Sequence, residues 1–174
     1  MMKHASSFFA DRNGSAAAEM ALVAPLLIII LFGSVETGNY FMTEHVVTKS
    51  VRDGARFASR LPITDYTCPG TVNRTLAETP IRNVTETGSV DKTGTGRFPS
   101  SFWNKKCAGA DGIDAVSVKL RCVPKTSYSG VWAGLGTDIP VVTVSADVSY
   151  TSLFGVLSGG LCMHATSEAP VSGL

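Results

Sequence analysis

The 174-residue chain has almost no net charge, few histidines and no closely spaced cysteines, and each shortage removes a class of function. Fifteen Lys and Arg against 14 Asp and Glu leave +1, so the clustered basic face of a nucleic-acid binder is missing and no nucleic-acid partner is expected. The histidines are His4, His45 and His164, none at ligand spacing with another donor, so neither a metal nor another cofactor is expected. No G-x-S-x-G, phosphate loop or dinucleotide fingerprint occurs, and Gly94-Thr95-Gly96 is too short a signal to use. The chain reads as a non-enzyme without catalytic residues.

Four cysteines, Cys68, Cys107, Cys122 and Cys162, follow one another at 39, 15 and 40 positions, with no C-x-x-C pair for zinc or redox work. Two disulfides in an oxidising compartment fit better than four buried thiols. Of the three connectivities, Cys68 with Cys107 and Cys122 with Cys162 is expected: the first closes an irregular excursion, and the second ties the first strand to the last.

What the chain does have is one long apolar run. Residues 15–35, SAAAEMALVAPLLIIILFGSV, carry a single charge, and about 21 residues at 1.5 Å each are enough to cross roughly 30 Å of hydrocarbon. Lys3 and Arg12 precede it, which places the N-terminus in the cytoplasm and everything after about residue 37 on the far side, the side the cysteines also indicate. A cleaved secretory signal fits less well: the run is long for a signal core, no A-x-A site follows at residues 32–39, and a helical pattern continues past it.

The charge inside the run is Glu19. A charged side chain at the centre of a membrane helix costs about 2.5–3.5 kcal/mol, so this carboxylate calls for a partner or a function. Arg12-Asn13-Gly14-Ser15 lies just ahead. A cut after Gly14 would make Ser15 the first residue and Glu19 the fifth, one helical turn from a new ammonium group. The plain alternative is a glutamate at the membrane surface, favoured by the helix dipole. Pro25 removes a backbone donor and is expected to loosen or kink the helix near residues 21–25.

A basic leader ending in glycine, a small residue, glutamate at the fifth mature position and an apolar helix resemble a type IV prepilin. More closely, AAAEMALVAPLLIIILFGSVETGNYF followed by SVRDGARFASR is similar to the TadE-like minor pilins of tight-adherence pilus systems. Glu19, Pro25, Phe32-Gly33, Glu36 and Arg52-Asp53-Gly54-Ala55-Arg56 match that family's ordered set; Met20 departs from the bulky or aromatic residue many relatives carry. The resemblance covers about the first 60 residues. It implies a processing site at Gly14 and Ser15, an assembly role for Glu19 and Pro25, and as partners a prepilin peptidase, other pilins and inner-membrane pilus assembly components.

Beyond residue 37 the pattern becomes amphipathic. Tyr40, Val47, Val51, Ala55, Ala58 and Leu61 recur at steps of three, four or seven, while Glu44, Lys49, Arg52, Asp53, Arg56 and Arg60 supply charge. One helix over residues 16–60, stopped by Pro62, is expected. Arg52, Asp53 and Arg56 are read either as an ion-pair or binding cluster or as a solvated face. Gly54 costs about 1 kcal/mol against alanine in a helix, which points to another element approaching there.

Residues 63–112 read as a long irregular excursion with a short helix near residues 72–78; Asn73-Arg74-Thr75 and Asn83-Val84-Thr85 match the glycosylation triplet, which arises often by chance. Order returns from Asp114. Val116, Val118, Leu120 and Cys122 alternate with Ser117, Lys119 and Arg121, and Val142, Val144, Ala146, Val148 and Tyr150 share one face, with a glycine-bearing loop between at Gly130, Gly134 and Gly136. A third strand is expected at residues 161–167 after Gly159-Gly160. The expected fold is α+β: a long N-terminal helix, membrane-spanning then amphipathic, packed on a small antiparallel sheet. It divides into a leader (1–14), a transmembrane helix (15–36), its amphipathic continuation (37–61) and a disulfide-bonded outer domain (62–174).

Two functions fit this plan. One is a minor pilin or pilin-like subunit of a tight-adherence pilus, processed at an inner membrane and placed in or beneath the filament. The other is a single-pass membrane protein whose outer domain binds a partner or ligand.

Overall fold

The computed structural model describes residues 13–96, 98–108, 115–127, 138–155 and 160–173. Lys3, His4 and Arg12 of the expected leader, Asp114, the glycines at 130, 134 and 136, and Gly159 lie outside these residues, as does the side chain of Ser15.

One helix, α1 (Asn13–Ala58), dominates the molecule. Its 46 residues extend about 69 Å at 1.5 Å per residue, and it passes through Pro25 without a break. Its surface changes character at one point. Residues 16–35 are exposed except for half-buried Ala24 and Gly33, whereas Glu36 is fully buried. From there Thr43, Val47, Val51, Gly54, Ala55 and Ala58 form a buried stripe at steps of three and four, the seam expected of an amphipathic helix laid on a sheet.

That sheet is antiparallel, in the order β3 (Val116–Val123), β4 (Ile139–Ser149), β5 (Cys162–Pro170). In β4, Val142, Val144, Ala146 and Val148 are completely buried and Thr143, Ser145 and Asp147 are not. This is the side-chain alternation of a strand with one covered face. Met163 and Ala165 of β5 join the same core with Val47, Val51, Ala55 and Ala58 of α1. The outer face is polar: Arg121 pairs with Glu168 at 3.1 Å, Thr143 donates to Glu168 at 3.2 Å, and His164 contacts Asp147. The third strand continues to Pro170, three residues beyond its expected end, because the full length of β4 offers it a partner, with Val141 opposite Pro170.

The segment read as an irregular excursion has more order than its composition suggests. A hairpin of β1 (Tyr66–Thr67) and β2 (Thr71–Val72) leads into a wide turn at Arg74–Glu78, started by Asn73, whose side chain accepts from the amides of Thr75 and Leu76. The short helix expected near residues 72–78 is present as this wide π-helical turn, and it runs directly into the regular α2, Thr79–Thr87, opened by Pro80 and ended by Gly88 in the left-handed conformation. A single turn, α3 (Ser100–Trp103), follows. α2 covers the flank of α1 with Ile81 fully buried and Thr85 almost so. At the top of the molecule Tyr66 donates its hydroxyl to the Ala58 carbonyl at 2.9 Å, and Ser172 donates its amide to Ser59 at 2.9 Å, so the end of α1 is held from two sides.

The disulfides correct the expected connectivity. All four cysteines are bonded, but as Cys68–Cys122 and Cys107–Cys162. The β1–β2 hairpin lies beside β3, which brings Cys68 to Cys122. The segment ahead of β3 runs along the end of β4, with Lys106 bridged to Val148, and so brings Cys107 to Cys162, whose own register partner is Ser149.

Candidate functional site

The residues singled out in the sequence fall into three groups along α1. Gly14 stands at its start with nothing near its backbone that a side chain would meet, and Glu19 and Pro25 are exposed in the apolar part. Leu22, Leu26, Ile28, Ile29, Ile30 and Leu31 are exposed around the helix at more than half their area. Such all-round apolar exposure suits lipid and not water. Residues Ala16–Ala58 include a window long and apolar enough to cross a membrane, none of it buried by the rest of the chain.

The second group is Glu36 and the shell around it, at the point where the helix enters the domain. Its carboxylate accepts from the Tyr150 hydroxyl at 2.9 Å, the Leu153 amide at 3.0 Å and the Phe154 amide at 2.9 Å. Asn39, one turn further on, donates its side-chain amide to the same Tyr150 oxygen at 2.7 Å. Burial pushes the Tyr150 phenol up; Asn39 opposes this and the negative Glu36 adds to it, and the phenol remains a donor. The ring of Tyr40 meets that of Tyr150 edge-on at 5.3 Å, and Phe154 reaches Phe32 at 4.9 Å. A buried carboxylate is costly unless its oxygens are satisfied, and here donors of the domain that follows the helix satisfy it. Glu36 thus joins the β4–β5 connection to the helix at the boundary between its bare and its covered halves. The sequence marked Glu36 only through its place in a family pattern; its partners, more than a hundred residues away, left no local signal.

The third group is Arg52, Asp53, Gly54 and Arg56, which divide between two faces. Gly54 is buried against α2: a Cβ there would overlap Thr85 Oγ1 and stand 3.3 Å from Thr85 Cβ and 3.6 Å from the Ile81 carbonyl. α2 is therefore the element that approaches this glycine. Arg52 and Arg56 are exposed on the other side and line a groove of about 800 Å³ with Phe41, Glu44, Lys49 and Asp53. Among the described residues, neither arginine nor Asp53 forms an ion pair, and no group of three or more His, Cys, Asp or Glu side chains is placed to hold a metal.

No curated protein and no solved structure matches the chain. A family model does match: residues 14–56, from the glycine before the apolar run to the last arginine of Arg52-Asp53-Gly54-Ala55-Arg56, fit the family described as TadE-like protein. The match covers the helix and leaves residues 57–174 outside it. Over its N-terminal helix the chain is similar to TadE-like proteins, and the resemblance read from Glu19, Pro25, Glu36 and the Arg52 to Arg56 stretch stands.

Proposed function

We propose that this chain is a minor pilin or pilin-like subunit that takes part in assembling a tight-adherence type IV pilus. The observation that carries the reading is the two-part helix: a bare apolar half followed without interruption by a half that is the spine of a disulfide-bonded domain, both within the segment that fits the TadE-like model. A subunit of this shape is held in a membrane by the first half and passes to neighbouring apolar helices when it assembles.

In this reading residues 1–14 are a leader, removed by a prepilin peptidase between Gly14 and Ser15. Residues 15–36 span the inner membrane with the N-terminus cytoplasmic, 37–61 continue the helix, and 62–174 form the outer domain, periplasmic or extracellular. Two disulfides suit that compartment. The role is structural and not enzymatic. Partners are the peptidase, other pilins and inner-membrane assembly components. The groove beside Arg52 and Arg56 is the feature that a simple membrane receptor would use, and it is too open and too evenly charged to favour one ligand.

The test is Gly14→Val in cells that carry the pilus system. The variant is expected to accumulate in the inner membrane at its unprocessed mass and to reduce surface piliation. Normal piliation with an uncut chain would favour the receptor reading.

A further inference from the structure

Among the described residues of the outer domain most large apolar side chains are buried or half-buried, but at the connection after β4 Leu153 is 59% and Phe154 50% exposed, with Leu161 nearby at 38%. Leu76 and Val90, the other large exposed apolar residues described there, stand singly on other elements. The connection's described residues, 150–155 and 160–161, are firmly held. Glu36 fixes the amides of Leu153 and Phe154, Ser152 Oγ accepts from the Gly155 amide at 2.7 Å, and the Tyr150 amide donates to Leu161 at 2.8 Å. An apolar tip is thus presented outward on a rigid base.

Its height along the helix says what it faces. At 1.5 Å per residue, Phe32 lies about 24 Å and Glu36 about 30 Å beyond Ala16, which is the outer edge of a hydrocarbon layer entered at Ala16. Phe154 touches Phe32, so the tip is level with the end of the span. Exposed Lys105 donates its ammonium to Thr151 at 2.9 Å, placing a cation beside the apolar pair. An apolar tip with a flanking lysine is the pattern of an interfacial anchor, whose cation reaches the headgroups.

We propose that the Ser152–Gly155 turn is a second lipid contact, with Leu153 and Phe154 in the interfacial layer of the outer leaflet and Lys105 at the phosphates. It rests on residues 16–35 being the membrane span. A second copy of the chain is the weaker occupant, because the two or three apolar side chains exposed among the described residues of this connection fall far short of the roughly 800 Å² per partner that a stable protein interface buries. Glu36 then does more than join helix and domain: it sets the height at which the domain rides on the bilayer.

The experiment places a photoreactive diazirine analogue of leucine at Leu153, Leu26 or Leu76 of the full chain in vesicles of phosphatidylethanolamine and phosphatidylglycerol. Leu26 reports the span and Leu76 the water-facing domain. Lipid adducts at Leu153 within a few-fold of those at Leu26 and many-fold above those at Leu76 are expected. Lipid adducts at Leu26 with none at Leu153, or protein adducts at Leu153 in their place, would overturn the proposal. Absence of lipid adducts at Leu26 would instead overturn the span itself, and the second contact with it.

Discussion

Tyr150 donates its hydroxyl proton to the Glu36 carboxylate at 2.9 Å, and by that bond the end of β4 is tied to the first buried turn of α1. The bond has cooperating neighbours. Two backbone amides complete the carboxylate's shell and Asn39 holds the phenol from behind. Removal of one donor is therefore expected to do less harm than removal of the acceptor they share. Tyr150→Phe should cost about 1 kcal/mol. Glu36→Gln, which offers an amide where three donors converge, should lower Tm further and speed hydrogen exchange at Leu153 and Phe154. Equal melting of the two variants would show that the carboxylate is not the centre of the network.

The contact of Gly54 with α2 gives a sharper steric test. Gly54→Ala brings a methyl against Thr85 and should destabilise the domain by about 1–3 kcal/mol, the cost of overpacking, although alanine is the better helix former. Thr85→Ala removes the overlapping oxygen and should recover much of that loss in the double variant. Additive losses would mean that the helix shifts and the two residues do not compete for the same space.

Tyr66 couples the end of α1 to alkaline stability. Burial, with the negative charge of Asp65 adding to it, raises the phenol above its ordinary value. The stability it contributes is full below the unfolded tyrosine pKa of about 10 and is lost as pH rises from there toward the folded value. Tyr66→Phe should lose about 1 kcal/mol at neutral pH with the bond to Ala58, and should show a shallower alkaline decline than the parent in denaturant midpoints taken through pH 9–11. An unchanged slope would place the alkaline sensitivity elsewhere.

Much of this plan is legible in the sequence. The step from an all-round apolar run to a one-sided pattern near residue 37 marks where α1 enters the domain, and the alternation from Val142 to Tyr150 gives β4 and its buried face. What escapes depends on distant partners. α2, TPIRNVTET, has only Pro80, Ile81 and Val84 as apolar residues, and its place is set by the groove beside Gly54. The disulfides follow from which segments flank β3 and β4, a matter of topology that cysteine spacing does not encode.

The connectivity is open to direct mapping. Non-reduced digests should yield peptides joining Cys68 to Cys122 and Cys107 to Cys162. A Cys68–Cys107 peptide from folded protein would contradict the arrangement of the hairpin beside β3.

Glu19 lies far below the domain, so its loss should separate assembly from folding. Glu19→Ala is expected to insert, form both disulfides and reach a normal steady-state level, yet to co-purify less with pilus components and reduce surface piliation. Wild-type assembly would leave Glu19 as a surface-lying glutamate, and degradation would make it a folding or insertion residue.

Whether this helix is a pilin-type anchor or a permanent membrane stem is decided at the mature N-terminus. N-terminal sequencing of the protein purified from cells with an active prepilin peptidase should begin at Ser15, followed by Ala16-Ala17-Ala18-Glu19; a chain that still carries the residues before Gly14 would contradict the account.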